Sequence, residues 1–257
     1  MNEQKYPQLE RLHILRTEAL CSIRDRAFET LPLYLNSYSD GIVSGCQLIT
    51  NRDSITLREG IIRHDNFLYL ITEPMSIAYE PTNELMLLKI IFNPPLETEN
   101  FIERGVELEL STNVEISDSE MELCRFKLKK GAVLRFKYTD FFDRATEFDT
   151  INIISCPYSS IGASTISPDI TTAFALACVD YELDPIDYQF CLAALSGTIM
   201  TAEQLKFYIS HRLNIESENW SNAQIYDYLC LILEDITEGS KRIIKGANRR
   251  RREVFIT

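Results

Sequence analysis

Four carboxylates, Asp140, Asp143, Glu147 and Asp149, fall within ten residues of one another. Oxygen-rich clusters of this kind can hold Mg²⁺ or Ca²⁺. The spacing is not that of an EF-hand loop, which needs a central glycine and a Glu at its twelfth position. Asp140 and Asp143 have a simpler use, as a helix cap or as partners of Arg135 and Arg144, and we take the cluster as structural. His13, His64 and His211 show no H-E-x-x-H or other paired spacing, so a histidine metal site is not expected. Ser44 lies in Val43-Ser44-Gly45, which is not the G-x-S-x-G elbow of an activated serine. Neither a G-x-x-x-x-G-K-[ST] phosphate loop nor a G-x-G-x-x-G fingerprint occurs. The seven cysteines are odd in number, widely spaced and without a C-x-x-C pair. They read as small buried hydrophobes in a reducing compartment. The expectation is a protein that is not an enzyme, with no catalytic residue, no cofactor and no metal.

The chemistry that remains is binding. Arg249, Arg250, Arg251 and Arg252 form a basic run near the C-terminus. From Lys241 onward seven basic residues face one acid, a net of +6, which leaves −18 on the remainder of a chain at −12. An acidic body argues against coating by nucleic acid over the whole surface. No aromatic residue interleaves the arginines before Phe255, so no base-stacking platform is indicated. The arm is read as one that docks on an acidic protein surface, a second copy of this chain included. Contact with phosphates is the alternative. The face of Arg125, Lys127, Lys129, Lys130, Arg135 and Lys137 poses the same choice between solvent and an acidic neighbour.

Three kinds of element carry these residues. Leu9, Leu12, Leu15, Ala19 and Ile23 recur at three- and four-residue spacing among charges, which predicts an amphipathic helix over 8–28, with Pro7 near its start and Pro32 breaking the chain after it. Leu12 and Leu15 are its candidate partner-binding residues. From Asp40 to Tyr138 the pattern is of strands. Ser54–Leu57 is rich in β-formers, and Ile61-Ile62 and Phe67–Ile71 flank a His64-Asp65-Asn66 turn. Leu85–Phe92 is a nearly continuous apolar run, as in a strand covered on both faces. Cys124–Lys129 and Leu134–Tyr138 alternate with period two about Lys130-Gly131, which predicts a hairpin. Gly41, Gly45 and Gly60 are expected to shape turns. The last third is helical. Ser167-Pro168-Asp169 and Asp184-Pro185 are helix starts, and Thr201–Gln204 and Ser221–Gln224 are capping boxes. Four helices on short loops suggest a small bundle.

The run Asp40–Leu48, then Ser54–Ile62, then Asn66–Leu70 resembles a segment of phage tail and baseplate proteins, in which a G-[IV]-x-S-G turn starts a short strand and two further strands follow. Glu122–Ala132, Leu134-Arg135 and Tyr138–Phe141 are similar to a prophage protein family of Gram-positive gut bacteria. The resemblance to the β module covers about 35 residues, Gly41–Leu70 at its heart, and the helical third has no counterpart in it. It implies a structural component of a phage tail or phage-tail-like particle, at the baseplate or a point of fibre attachment. The implied partners are other tail or baseplate subunits and copies of this chain. The implied location is the cytoplasm of the producing bacterium during assembly and the particle afterwards.

The fold expected is α+β: an N-terminal amphipathic helix, a central antiparallel β region and a C-terminal helical bundle. The divisions are 1–39 for the helix and linker, 40–138 for the β domain and 139–166 for a connector. They continue with 167–245 for the helical domain and 246–257 for the basic arm. No apolar run approaches a membrane span and the first seven residues are polar, so neither membrane insertion nor a secretion signal is expected. The alternative function is a prophage nucleic-acid-binding or regulatory protein that uses the basic tail.

Overall fold

The computed structural model describes residues 6–8, 10–11, 14, 16–146, 148–216 and 218–239. The fold is mixed α+β, with antiparallel sheets. Helix α1 runs Thr17–Tyr34. It therefore starts nine residues later than the apolar spacing predicts and continues past Pro32. Arg16 precedes it in extended backbone. Pro32 is tolerated because it sits in the last turn, where it removes one hydrogen bond from an exposed carbonyl, and the Leu35 N–H still closes on Leu31 at 3.0 Å.

The β region contains β1 (Gly41–Gly45), β2 (Leu48–Thr50), β3 (Ser54–Leu57), β4 (Gly60–His64), β5 (Phe67–Ile71) and β6 (Met75–Ala78). It continues with β7 (Leu85–Phe92), β8 (Leu96–Glu97), β9 (Ile102–Glu103), β10 (Val106–Ser111) and β11 (Glu120–Lys127). The sheets are ordered β1-β4-β5, β2-β3-β6 and β10-β7-β11, and β8 pairs with β9. The turn at Asp65 and Asn66 has positive φ at both residues (46° and 58°), the twist a two-residue hairpin needs. β7 is the central strand of its sheet, with Leu87, Leu88 and Ile90 fully buried, as its apolar run predicts. Lys89, also buried there, is neutralised by Glu120 at 2.6 Å on β11 and Glu109 at 3.4 Å on β10.

Gly41 and Gly45 bound β1 where other backbones cross it. Gly45 and Cys46 both have positive φ, at 66° and 57°, where the chain leaves β1 for β2. A Cβ on Gly45, at φ +66°, would stand 2.2 Å from the Glu59 carbonyl oxygen, beside its ladder partner Gly60. On Gly41, at φ +139°, it would stand 2.8 Å from backbone atoms of Pro157, Tyr158 and Ser159. Close backbone approach is the reason for glycine at both.

The predicted hairpin over 124–138 does not form. Its first arm is β11, which pairs with β7 through a bulge at Leu123. The second arm turns away, and residues 148–152 lie between the two. Arg125 exchanges hydrogen bonds with Asn152 at 2.8 and 2.7 Å, and Arg135 pairs with Asp149 and Ile151 at 3.0 Å each. The Arg135 guanidinium fixes this path by gripping Asp143 with two bonds, at 2.6 and 2.7 Å.

The helical bundle comprises α2 (Pro168–Cys178), α3 (Pro185–Ala194), α4 (Ala202–Leu213) and α5 (Asn222–Gly239). Ser167 Oγ accepts from the Asp169 N–H at 3.2 Å, and Thr201 and Gln204 complete a capping box, as do Ser221 and Gln224. Asp184 precedes Pro185 as expected but makes no side-chain cap bond. Two cores result. One gathers Ile55, Leu57, Ile62, Leu88 and Phe126 in the β region. The other gathers Ile170, Phe174, Leu205, Leu229 and Ile232 among the helices. The stretch between them serves both: Ile151 and Cys156 enter the β core, Phe141, Ile154 and Ile166 the helical core, and Ile153 packs against each.

Candidate functional site

The carboxylate cluster is consumed by structure. Asp143 accepts both bonds from Arg135 and a third from the Thr139 N–H at 2.8 Å. The Arg135 guanidinium, and then the Thr139 N–H, hold its carboxyl well below the usual carboxylate range. Asp140 caps the short 3-10 helix Phe142–Ala145 by accepting from the Asp143 N–H at 2.9 Å, and Asp149 accepts from the Lys129 N–H at 3.1 Å. Glu147 lies outside the described residues. These oxygens face donors of the chain rather than a common centre. His64 stacks on Phe92, ring centroids 3.9 Å apart, and His211 stacks on Phe207. His13 lies outside the described residues.

Ser44 lines a groove of about 640 Å³ between the end of α1, β1, residues 158–161 and the 197–201 loop, and no histidine lines it. A smaller cleft of about 290 Å³ adjoins it and shares Gln47, Tyr158 and Asp169. Its walls are mostly apolar. Tyr138, pushed up to about 12 by burial, and Tyr158, raised by the same cause, stay neutral phenols at physiological pH. Tyr138 Oη already donates to the Ile151 carbonyl at 2.8 Å. Five of the cysteines are buried, and burial pushes the Cys46 thiol up to about 12, which makes it a poor nucleophile.

The cationic face is largely engaged. Arg125 grips Glu122 with bonds of 2.6 and 2.7 Å, and Lys127 and Lys129 stand over the Phe148 ring at 5.4 and 5.0 Å. Among the helices, Asp187, 1% exposed, accepts from Tyr208 Oη at 2.9 Å and Arg212 Nε at 3.1 Å, and Arg212 also grips Asp235. That network ties α3, α4 and α5 together.

What remains on the outside is exposed apolar surface. α1 has no buried residue, yet exposes Leu20, Ile23, Phe28, Leu31, Leu33 and Tyr34. Tyr6 lies back against it, its ring under the Arg26 guanidinium at 4.1 Å. The β8–β9 hairpin exposes Leu96, Phe101 and Ile102, at 61%, 69% and 69%. Sequence reasoning missed the hairpin because nothing in a short apolar run says that no partner covers it. The partner-binding candidates Leu12, Leu15, Arg249, Arg250, Arg251 and Arg252 all lie outside the described residues. Ile23, from the same predicted apolar face, is on the exposed side of α1.

No protein-family model matches the chain, and no curated protein does. Among solved structures it is similar to one described as the crystal structure of TssK, with a TM-score of 0.34 and 10% identity. The match covers 92% of this chain and 58% of that one, so this chain spans little more than half the other's length. A likeness this distant decides neither fold nor function. No helix among the described residues is long and apolar enough to cross a membrane.

Proposed function

We propose that this chain is a structural component of a phage tail or phage-tail-like particle, at the baseplate or a point of fibre attachment. Its work is protein–protein assembly rather than catalysis. The observation that carries the reading is α1. Most helices in proteins draw their stability from packing an apolar face, and this one leaves its large apolar residues exposed. A helix with that surface gains its stability from a neighbour. The resemblance of Gly41–Leu70 to tail and baseplate β modules names the kind of neighbour. The arginine arm at 249–252 supplies a second contact, and assembly takes place in the cytoplasm of the producing bacterium before the subunit enters the particle.

The test is a tagged pull-down from the producing host after prophage induction, with mass spectrometry of what co-purifies. Tube, sheath and baseplate proteins in fixed ratios are the expected result. Recovery of DNA or transcription machinery without tail proteins overturns it and moves the basic tail to the centre as a nucleic-acid-binding element.

A further inference from the structure

The helical core brings together two thiols from different helices. α2 and α3 run antiparallel: Thr172 Oγ1 donates to the Ala194 carbonyl at 3.0 Å, and Phe174 meets Phe190 edge to face, ring centroids 5.6 Å apart. A side chain that bonds the backbone of the facing helix marks a close approach. Cys178 stands one turn beyond Phe174, and Cys191 follows Phe190. In a helix each Cα–Cβ bond leans toward that helix's own N-terminus. Cys178 therefore leans back along α2 toward the level of Phe190, and Cys191 leans back along α3 toward the level of Cys178. The two side chains converge, and the Cys178 S–H is hydrogen-bonded to the Cys191 thiol. Both belong to the same core, at 0% and 5% exposed. The other five cysteines lie elsewhere: Cys46, Cys124 and Cys156 in the β core, Cys21 on α1 and Cys230 on α5.

We infer that Cys178 and Cys191 are an oxidation site for a small hydroperoxide, which closes them as a disulfide that clasps the end of α2 to α3. A disulfide needs Cα atoms about 4.4–6.8 Å apart. Thiols already in contact across closely approaching helices reach that spacing with a small shift at the end of α2. The shared hydrogen bond, and then burial, raise the Cys178 thiol, so at rest it is protonated and closed to bulky oxidants. Cys191, the more exposed of the two, reacts first. Its sulfur, having given up its proton, attacks one peroxide oxygen. The O–O bond breaks, and hydroxide leaves and is protonated to water. The Cys178 sulfur then attacks the resulting sulfenic sulfur, the S–O bond breaks and a second water leaves. Two thiols and one peroxide give one disulfide and two waters. A reducing cytoplasm keeps the pair as thiols, and closure follows once the particle is outside it. That timing rests on the reading of the chain as a particle component; the chemistry of the pair does not.

The test treats the purified full chain with hydrogen peroxide, alkylates the remaining thiols in denaturant, digests at aspartate and glutamate, and reads the peptides by mass spectrometry. No Lys or Arg separates the two cysteines, whereas Asp180, Glu182, Asp184 and Asp187 do. The peptides carrying Cys178 and Cys191 should appear joined, two hydrogens lighter than their sum, and should part with dithiothreitol. Because the bond closes a loop over 179–190, the melting temperature should rise by about 5–10 °C and fall back on reduction. Cys178→Ala and Cys191→Ala should each show no rise with peroxide. If either variant fails to fold, the wild-type digest still decides. The inference is overturned if Cys178 and Cys191 are recovered alkylated from a sample in which the half-exposed Cys21 is oxidised. It is also overturned if either is joined to another cysteine, or if the pair joins with no rise in melting temperature. The same digest, on protein alkylated at harvest, separates this from the assembly reading. Thiols in induced cells and the disulfide in released particles are expected. Thiols in the particle would overturn the timing alone. A chain missing from the particles would overturn the assembly reading and leave the result on the purified chain standing.

Discussion

Gly45 and Asp143 show how much single residues decide in this protein. A methyl group on Gly45 would meet the Glu59 carbonyl oxygen at 2.2 Å, and φ +66° adds strain for any residue with a Cβ. The clash and the strain together cost roughly 2–4 kcal/mol. Gly45→Ala should therefore lower the melting temperature by roughly 5–15 °C. An unchanged melting temperature would mean that β1 and β4 separate at no cost. Asp143 makes a different kind of tie. Its two bonds from Arg135 hold the loop path that lets residues 148–152 enter between the arms. Asp143→Ala should cost about 2–3 kcal/mol in urea denaturation at neutral pH. The folded carboxyl is depressed below the unfolded value of about 3.9, so its contribution is full above that value. It is lost as pH falls through the folded value, and the gap between wild type and variant should narrow below about pH 4. A gap that stays constant from neutral pH down to pH 2 would show that the charge is not what Asp143 contributes.

The elements divide by how local their causes are. The starts of α2, α4 and α5 are legible in Ser167, Thr201 and Ser221, because a cap needs only residues three or four apart. The β4–β5 turn is legible for the same reason. The misreadings came from distance. The alternation over 124–138 identifies most of the side chains that point inward: Cys124, Phe126, Leu128 and Leu134 are buried, whereas Phe136 of the same predicted face is 39% exposed. It says nothing of the partner strand, and β11 takes β7 and residue 152 instead of its own continuation. The exposed faces of α1 and of the hairpin were hidden likewise, since apolar residues at helical or strand spacing look the same with and without a neighbour. The exposed surfaces were thus not legible, because exposure is set by which elements pack on one another and not by residue type or spacing. α1 itself carries an element-scale prediction. Because it buries no residue, deletion of residues 1–33 should leave the melting temperature of the remainder within about 2 °C of wild type, less than a 1 kcal/mol effect. Loss of cooperative melting in the truncated chain would show that the helix supports the body as well as its partner.

At the scale of the whole molecule the question is whether two cores make one folding unit. The sequence divides them, with a β domain to 138 and a helical domain from 167. The stretch between is more than a tether. Ile151, Ile154 and Cys156 alternate between the cores, and Ile153 touches both. Asn222, at the start of α5, donates to the carbonyls of Cys156 and Thr165 at 3.2 and 3.3 Å. At the other end, Ser39 bonds Ser159 and Ser160, which fixes the entry to β1 on the same stretch. Shared apolar contacts of this kind couple unfolding, because neither core can open without exposing part of the other. Trp220, the one tryptophan of the chain, gives the test a local probe: it packs on the helical core, 4.9 Å from the Tyr228 ring. Leu88→Ala empties a fully buried position in the β core and should cost about 2–5 kcal/mol. If the cores are one unit, the Trp220 fluorescence midpoint should fall with the far-ultraviolet circular dichroism midpoint, by the same number of degrees. A Trp220 transition that stays at the wild-type temperature while the β signal melts early would make them two domains. The stretch at 139–166 would then be a linker that happens to be well packed.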